Sequence, residues 1–323
     1  MKLINSCSPL VSIIIPNYNH AFFLNQRLES IFNQTYQDFE IIILDDCSTD
    51  NSEEIINEYQ DHPKIKQIIY NPTNSGSTFK QWQKGVELSS GKYIWIAESD
   101  DYCEPDFLST MINQFRTTDG IGLVYCRSLP INSQNQVYDY SDWWMKRVDK
   151  NKWETDYFNN GEDECSKYLS IQCTIPNVSG VLFDINCLKE INWIELKYKV
   201  CGDWYLYVTI LKKHDIAYIA KPLNYHRNHD NNVRSRNFKT SIIEQYEVLS
   251  YLNKIHKINK TSNYYRALDE RMCNFITIIK ARNISGNEIV NILKKMYHID
   301  IFFIFRFFKI IAFKTFQINC NFI

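Results

Sequence analysis

Tyr93-Ile94-Trp95-Ile96-Ala97-Glu98-Ser99-Asp100-Asp101 is the stretch of sequence on which the fold prediction rests. Its first five residues are apolar, with a β-branched and aromatic bias, and they predict a buried strand. The strand runs directly into three acids and a serine. Two adjacent aspartates at a strand end suit a hard divalent cation, Mg²⁺ or Mn²⁺, and such a cation commonly carries a diphosphate. The alternative is that Asp100 and Asp101 only begin a turn before a helix that opens at Pro105 and Asp106.

The preceding residues repeat this pattern. Mostly apolar runs at 10–15 and 39–44 predict two more buried strands, the first closed by Pro16, and residues 65–70 predict a third strand, with helical patterns between them. The order β-α-β-α-β-α-β predicts an α/β fold with a mostly parallel central sheet flanked by helices. Polar clusters at 16–19, 45–46 and 100–101 then fall on one edge of the sheet, where folds of this type bind nucleotides. The chain has neither a GxGxxG nor a GxxxxGK[ST] motif, so a Rossmann dinucleotide site or a P-loop is not supported.

Composition indicates a packed globular protein. The 323 residues are 45% hydrophobic and 15% aromatic, and the net charge of −1 gives no indication of nucleic-acid binding. Ten scattered cysteines without a CxxC pair argue against a zinc site, and we expect free thiols in a reducing cytoplasm. No run of about 20 uncharged apolar residues predicts a spanning helix.

The second half of the chain is less regular. Apolar runs at 121–126, 177–183 and 216–220 predict further strands, and Asp203 follows Gly202 at the start of an apolar helix. A first-turn acid can simply serve the helix dipole. Residues 127–160 are rich in aromatic side chains, which either line a sugar-acceptor groove or pack on one another. These aromatic residues include Tyr138, Tyr140, Trp143, Trp144, Trp153 and Tyr157.

Four motifs in this order resemble those of family 2 glycosyltransferases with the GT-A fold. They are Val11-Ser12-Ile13-Ile14-Ile15-Pro16-Asn17-Tyr18-Asn19, Asp45-Asp46-Cys47-Ser48-Thr49-Asp50, Asn74-Ser75-Gly76 and Ser99-Asp100-Asp101. The resemblance covers residues 9–125 closely and continues more loosely to about 235. It implies an inverting enzyme that uses a nucleotide-sugar, most often a UDP-sugar.

The resemblance also implies roles for residues of the donor site. Pro16 and Tyr18 would flank the nucleotide base, with Tyr18 stacking on it, and Asp46 would accept a hydrogen bond from uracil. Asp100 would lie near the ribose. Lys80 would contact phosphate, or it is a solvated helix lysine.

The metal and catalytic roles follow from the same resemblance. Asp101 would bind the Mn²⁺ or Mg²⁺ that bridges the diphosphate, with His229 as a further metal ligand and Arg227 as a diphosphate contact; a loop histidine facing water is the alternative for His229. Asp203 would be the catalytic base, since Gly202 stands where the family pattern has another acid. Cys47 departs from that pattern, which usually has glycine there.

The last part of the chain has a different character. Residues 301–314 are heavily aromatic, with three cations and no acid, and on a helical wheel the cations share one half. This pattern predicts a helix lying in a membrane interface, although a core helix is the alternative. We therefore predict three parts: a nucleotide-sugar-binding half (1–125), an acceptor-binding and catalytic half (126–237), and a helical C-terminal extension (238–323). The expected location is the inner face of the cytoplasmic membrane.

The leading hypothesis is sugar transfer to a hydroxyl of a glycan or lipid-linked acceptor in the synthesis of a surface polysaccharide or lipopolysaccharide. One alternative is a non-catalytic carbohydrate-binding or scaffold protein with the same fold. A nucleotidyltransferase is a weaker alternative, because the segment after the first strand is neither glycine-rich nor basic.

Overall fold

The computed structural model describes residues 9–138, 145–191, 193, 198–228, 237–281 and 284–320, with side chains described as far as residue 312. The chain forms two compact units. The first comprises Met1–Gly161, Ile175–Lys197 and Thr209–Asp230, and the second comprises Glu162–Thr174, Tyr198–Val208 and Asn231–Ile323. The three-part division made from the sequence stays a prediction.

The first unit contains a nine-stranded sheet. Its strands are β1 (Val11–Asn17), β2 (Phe39–Asp45), β3 (Ile65–Tyr70), β4 (Tyr93–Ile96), β5 (Tyr102–Cys103), β6 (Ile121–Ile131), β7 (Tyr157–Asn159), β8 (Val181–Asp184) and β9 (Asp215–Arg227). The order is β3-β2-β1-β4-β8-β6-β9-β5, and β7 also pairs with β9. Strands β1 to β4, β6 and β9 run in one direction, because β8 is antiparallel to both β4 and β6 while β9 is parallel to β6. The predicted mostly parallel sheet is confirmed.

Helices cover both faces of the parallel strands. They are Ala21–Phe32, Ser52–Glu58, Thr78–Leu88 and Phe107–Thr117. Strands β1, β2 and β4 are buried along their whole length, as parallel strands between two helical layers must be. Ile13 packs in the core with the first and fourth of these helices, whereas Ile14 faces the third. A Cβ added at Gly85 of that third helix would lie 2.3 Å from Cγ2 of Ile14, so the close approach of helix and strand requires glycine.

Three sequence-based boundaries differ from the structure. Strand β1 continues through Pro16, although proline has no N–H to donate. The backbone nitrogen at this position faces β4, and β4 has already ended at Ile96, so no hydrogen bond of the sheet is lost. The predicted strand at 177–183 begins as a 3₁₀ turn, Val178–Gly180, and becomes extended only in β8. Strand β9 is longer than predicted and includes Arg227, so the stretch 225–227 is part of the sheet.

The described part of the aromatic segment packs on the sheet. The Trp153 indole is buried and donates to the Tyr125 hydroxyl at 2.7 Å, and the Tyr125 and Tyr218 rings lie 4.8 Å apart. The self-packing alternative therefore holds for Trp153. Tyr140, Trp143 and Trp144 lie outside the described residues.

The second unit is helical. Its main helices are Phe238–Ile255, Ser262–Lys280, Gly286–Ile299 and Phe303–Cys320, and helix Gly202–Ile210 begins in it. Shorter elements are the helices Gly161–Glu164 and Ile185–Lys189 and the π-turn Cys165–Leu169. Ser285 and Glu288 form a reciprocal capping box at the start of Gly286–Ile299. In the part of the chain that the structure describes, no helix has the length and apolar character needed to cross a bilayer.

Candidate active site

The loops that follow β1, β2 and β4 meet at the carboxyl edge of the sheet. The Asn17 amide donates to Asp45 Oδ2 at 2.7 Å, and the Ser48 hydroxyl donates to the same oxygen at 2.6 Å. His20 Nδ1 lies 2.8 Å from the Ser99 hydroxyl oxygen, which links the first loop to the acid motif. The three polar clusters identified in the sequence are therefore neighbours in space.

Two residues of these loops adopt left-handed backbone conformations. Asn19 has φ of +57° and Cys47 has φ of +64°. Asparagine tolerates this region, whereas cysteine does so only at a cost of about 1–2 kcal/mol. The conformation explains why glycine suits position 47, and Cys47 keeps the turn at the expense of backbone strain.

Asp46 organises the loop after β3. Its Oδ1 accepts from the Asn71 amide at 2.7 Å and the Gln81 amide at 2.8 Å, and its Oδ2 accepts from the Ser75 hydroxyl at 2.7 Å. The Ser75 backbone N–H lies 3.0 and 3.1 Å from the two oxygens. Because a carboxylate has about four acceptor positions, this buried group has no spare one for uracil unless the loop changes. Base recognition by Asp46 stays a prediction.

Glu98 is the acid of the motif to which the sequence assigned no role. Its Oε1 accepts from the Trp82 indole at 2.7 Å and from the Thr78 hydroxyl at 3.2 Å. Burial, and then the negative charge of Asp100, raise the pKa of Glu98 to about 8. The side chain is therefore mostly protonated at neutral pH and can donate a hydrogen bond at the sheet edge.

The two aspartates of the motif have different environments. Asp101 is buried, and its oxygens accept from the Arg227 backbone N–H at 2.8 Å and the Asn177 amide at 2.9 Å. Burial, together with the Asp100 charge, raises the pKa of Asp101. Asp100 is only partly buried. Asp100 is thus the more exposed of the two carboxylates, and metal binding by Asp101 stays a prediction.

Arg227 lies inside the protein. Its Nε donates to the Asp100 carbonyl at 2.7 Å, and its two Nη atoms donate to the Asn132 carbonyl at 2.9 Å and to Gln26 Oε1 at 2.8 Å. The guanidinium also lies 4.5 Å from the centroid of the Phe23 ring. Each of the three guanidinium nitrogens thus donates to the protein, and the diphosphate contact expected from the sequence stays a prediction. Arg227 positions the backbone of the acid motif.

The remaining donor-site residues differ in exposure. The Tyr18 side chain is 45% exposed, as a stacking platform requires, whereas Pro16 is buried within β1. Lys80 is exposed, and its ammonium donates to the Ser75 carbonyl at 3.2 Å. The roles of these three residues stay predictions.

Asp203 belongs to the second unit and is the second residue of helix Gly202–Ile210. Its Oδ1 accepts from the Trp204 N–H at 2.7 Å. The segment before the helix is held by buried Glu244, whose carboxylate accepts from three consecutive backbone N–H groups at 2.7–2.8 Å. Asp203 thus stands on a fixed helix start, and its role as a base stays a prediction.

The expected metal ligand His229 lies outside the described residues. Within the described ranges, no group of three or more histidine, cysteine or acidic side chains is arranged to hold a metal ion. The donor chemistry of Asp100 still fits a cation that arrives with a diphosphate, because Mg²⁺ is usually held by one or two carboxylates together with substrate phosphates.

Sequence reasoning missed the residues that support the acid motif. Asn177 accepts from the Ser128 hydroxyl at 2.8 Å while it holds Asp101. Arg27 is fully buried, donates to the Glu98 carbonyl at 2.8 Å and lies 5.4 Å from the centroid of the Trp95 ring. Its place beside Leu28 on the apolar stripe of helix Ala21–Phe32 was the only signal in the sequence.

Comparisons with known proteins agree with this architecture. An uncharacterized glycosyltransferase of Haemophilus influenzae is 43% identical over 105 residues, which are 32% of this chain and 42% of that protein. Chondroitin synthase of Escherichia coli is 34% identical over 137 residues, which are 42% of this chain and 20% of that enzyme. The matches thus span less than half of the length of these two relatives.

Solved structures share the fold. TarS 1–349 of S. aureus in complex with UDP-GlcNAc superposes with a TM-score of 0.64 over 90% of this chain and 81% of that one, at 16% identity. The mannosyltransferase PcManGT of Pyrobaculum calidifontis, in complex with GDP-Man and Mn²⁺, gives a TM-score of 0.53 over 91% of this chain and 86% of that one, at 13% identity. These likenesses confirm the GT-A type of α/β fold. The family described as Glycosyl transferase family 2 matches residues 12–176, about half of the chain, and the chain belongs to this family.

Proposed function

We propose that the chain transfers a sugar from a UDP-sugar to a hydroxyl of a glycan or lipid-linked acceptor, with inversion at the anomeric carbon. The observation that carries the proposal is the convergence of the loops after β1, β2 and β4 on one sheet edge, joined by the contacts of Asp45 with Asn17 and Ser48 and of His20 with Ser99. Such an edge is where open α/β sheets bind nucleotides. The UDP-GlcNAc bound to TarS, a protein with the same fold, supports the choice of donor.

Donor binding uses residues of the first unit. Tyr18 offers an exposed ring for stacking on the base, and Glu98, held by the Trp82 indole, lies in the same acid motif as Asp100. Asp46 contributes through the loop that it holds, in addition to any contact with uracil. Lys80, at the start of helix Thr78–Leu88, supplies a cation for the diphosphate.

Asp100 is the side chain that would hold a divalent cation, Mn²⁺ or Mg²⁺, and the bound cation would neutralise the negative charge of the diphosphate. Asp101 and Arg227 contribute by fixing the backbone that carries Asp100. Asp100 is preferred to Asp101 here because Asp100 is partly exposed, whereas Asp101 is buried and each of its oxygens accepts a hydrogen bond; coordination by Asp101, expected from the sequence, stays a prediction.

Asp203 is the proposed base. Its carboxylate takes the proton of the acceptor hydroxyl, whose oxygen then forms a bond to the anomeric carbon while the bond from that carbon to the diphosphate breaks and UDP leaves. Glu244 positions Asp203 by holding the backbone that precedes its helix. Neither group contributes to donor binding in this scheme.

The proposal places the enzyme in polysaccharide or lipopolysaccharide synthesis, with a peripheral contact of residues 301–314 at the inner face of the cytoplasmic membrane. The likeness to chondroitin synthase supports an acceptor of polysaccharide type. The acceptor would then be presented close to the lipid surface.

The test begins with donor binding. UDP and UDP-sugars should raise the melting temperature of the purified chain, more strongly with Mn²⁺ than with chelator, because ligands that bind only the folded state stabilise it. A preference for GDP-sugars would overturn the choice of donor, and stabilisation by none of these nucleotides would overturn the proposed function.

The second step tests the base. Asp203→Asn should slow release of UDP from the best donor by about 10²–10⁴-fold while the donor affinity stays the same, since the side chain keeps its size and loses its basicity. Glu54→Gln is the matched control, because Glu54 is also an acid in the first turn of a helix and is exposed. Weaker donor binding by Asp203→Asn, or an equal slowing by the control, would contradict the assignment.

A further inference from the structure

The C-terminal helices leave large apolar side chains in contact with solvent. Phe305 is 74% exposed, Phe308 64% and Phe302 61%. The neighbouring exposed apolar residues are Val290, Tyr297, Ile301, Ile304 and Ile311. Together these eight residues form what we call the C-terminal apolar surface. It continues onto helix Gly286–Ile299, which sequence periodicity did not identify as part of it.

The orientation of helix Phe303–Cys320 is fixed by its inner face. Arg306 pairs with Asp300 at 3.0 Å and with Asp269, and its guanidinium lies 5.1 Å from the centroid of the Tyr265 ring. Phe303 is partly buried on the same side. The helical wheel grouped the three cations on one half, whereas the structure turns Arg306 inward. The helix is therefore held against its own unit while Phe302, Phe305 and Phe308 remain exposed.

A shallow depression lies between the two helices of this surface. Its volume is about 360 Å³, and its lining includes Leu293, Tyr297, Phe303 and Ile304. Exposed apolar area of this density is rare on soluble surfaces and marks a site of interaction.

The charges around the surface are positive. Lys294 and Lys309 are exposed, whereas the acid Asp300 is buried and paired with Arg306. Among the described side chains of residues 289–312, no acid is exposed. The sequence beyond residue 312 adds one lysine and no acid.

We propose that the C-terminal apolar surface inserts into the interface of a bilayer that contains anionic lipids, with Lys294 and Lys309 at the level of the headgroups. Anionic headgroups attract nearby lysines, and an apolar helix face enters the acyl boundary. A second copy of the chain fits less well, because a two-fold interface would place these lysines against like charges. The inference rests on the peripheral contact in the proposed function and extends it from one segment to two helices.

The full chain is tested by co-sedimentation with vesicles of phosphatidylcholine alone or mixed in equal parts with phosphatidylglycerol. We expect binding to the mixed vesicles, weakened by salt. The triple variant Phe302→Ser, Phe305→Ser, Phe308→Ser should bind them at least about tenfold more weakly, or about 1.4 kcal/mol. Phe158→Ser, at a residue of β7 that is 49% exposed, is the matched control and should bind like the wild type.

Two further measurements separate the outcomes. Lys309→Glu should reduce the preference for phosphatidylglycerol while melting is unchanged, which excludes a folding defect as the cause. Release of UDP from the donor without vesicles should be the same in the triple variant and the wild type, so failure of this surface is distinct from failure of the proposed function. Wild-type protein that binds neither vesicle, or that forms dimers which the triple variant abolishes, would overturn the inference.

Discussion

The different environments of Asp100 and Asp101 lead to opposite predictions for two adjacent substitutions. Asn177 and the Arg227 backbone each donate to the Asp101 carboxylate. The Asp101→Asn substitution replaces one of the two carboxylate oxygens by an NH₂ group. One of these two donors must therefore face another donor instead of an acceptor. Asn177 cannot rotate to avoid the clash without losing the hydrogen bond that its Oδ1 accepts from Ser128. An unpaired buried donor costs about 1–3 kcal/mol, and we expect Asp101→Asn to lower the free energy of unfolding by about 2–3 kcal/mol.

Asp100→Asn should leave stability almost unchanged. Asp100 is partly exposed, and the substitution keeps its backbone carbonyl, which accepts from Arg227. Surface changes of this kind are usually within about 0.5 kcal/mol. The cation that would be held by Asp100 should be lost, so UDP should bind equally well with Mn²⁺ and with chelator.

The assay combines urea unfolding in chelator with titration of UDP in the presence and absence of Mn²⁺. Burial already raises the pKa of Asp101, so the expected loss comes mainly from hydrogen bonding, not from charge. If Asp101→Asn unfolds like the wild type but loses the effect of Mn²⁺, while Asp100→Asn keeps that effect, then Asp101 is the metal ligand and the reasoning is refuted.

Three other substitutions test the structure. Asp46→Ala removes the acceptor of several buried donors and should lower the free energy of unfolding by at least about 2 kcal/mol, and an unchanged urea midpoint would contradict the role of Asp46 in the loop. Cys47→Gly relieves a φ of +64° and should stabilise the protein by about 0.5–1 kcal/mol after the entropy of glycine is subtracted, whereas a lower midpoint would argue against strain. The Ser285 backbone N–H and Lys239 lower the pKa of Glu288 to about 2, so its contribution is complete above pH 4.5 and is lost as the pH falls towards 2. Because this carboxylate is about one-third exposed, Glu288→Gln should cost only about 1 kcal/mol at pH 7, and the difference from the wild type should vanish near pH 2.

The sheet could be predicted because its strands leave little ambiguity. Runs such as 39–44 are apolar at every position except Glu40, as expected for a strand buried on both faces, and β2 extends one residue beyond the run. The left-handed conformation of Cys47 could also be expected, since a position that favours glycine often has a positive φ. Strand β9 was predicted too short because its second half alternates polar and apolar residues and resembles a loop.

The direction of long polar side chains could not be predicted. Arg227 follows a histidine and a tyrosine in a stretch that looks like a polar loop, and its burial depends on partners up to 201 positions away in the sequence. The direction of Arg306 could not be predicted for the same reason, because a helical wheel contains no information about Asp269 on another helix. A long cation can turn inward or outward at little local cost, so distant residues decide its direction.

The environments of the two aspartates after β4 likewise depend on residues distant in the sequence. In an extended strand, alternate residues face opposite sides, but the chain leaves β4 at Ile96 and turns before it reaches Asp100 and Asp101. The alternation that assigns residues to faces within β4 therefore gives no information about these two carboxylates. The contacts with Asn177 and Arg227 distinguish the two carboxylates. Both residues donate to Asp101, which is buried, whereas Asp100 is partly exposed. A pair of acids after a strand can thus be proposed as a site from sequence, whereas the different environments of the two acids depend on Asn177 and on strand β9, which come much later in the chain.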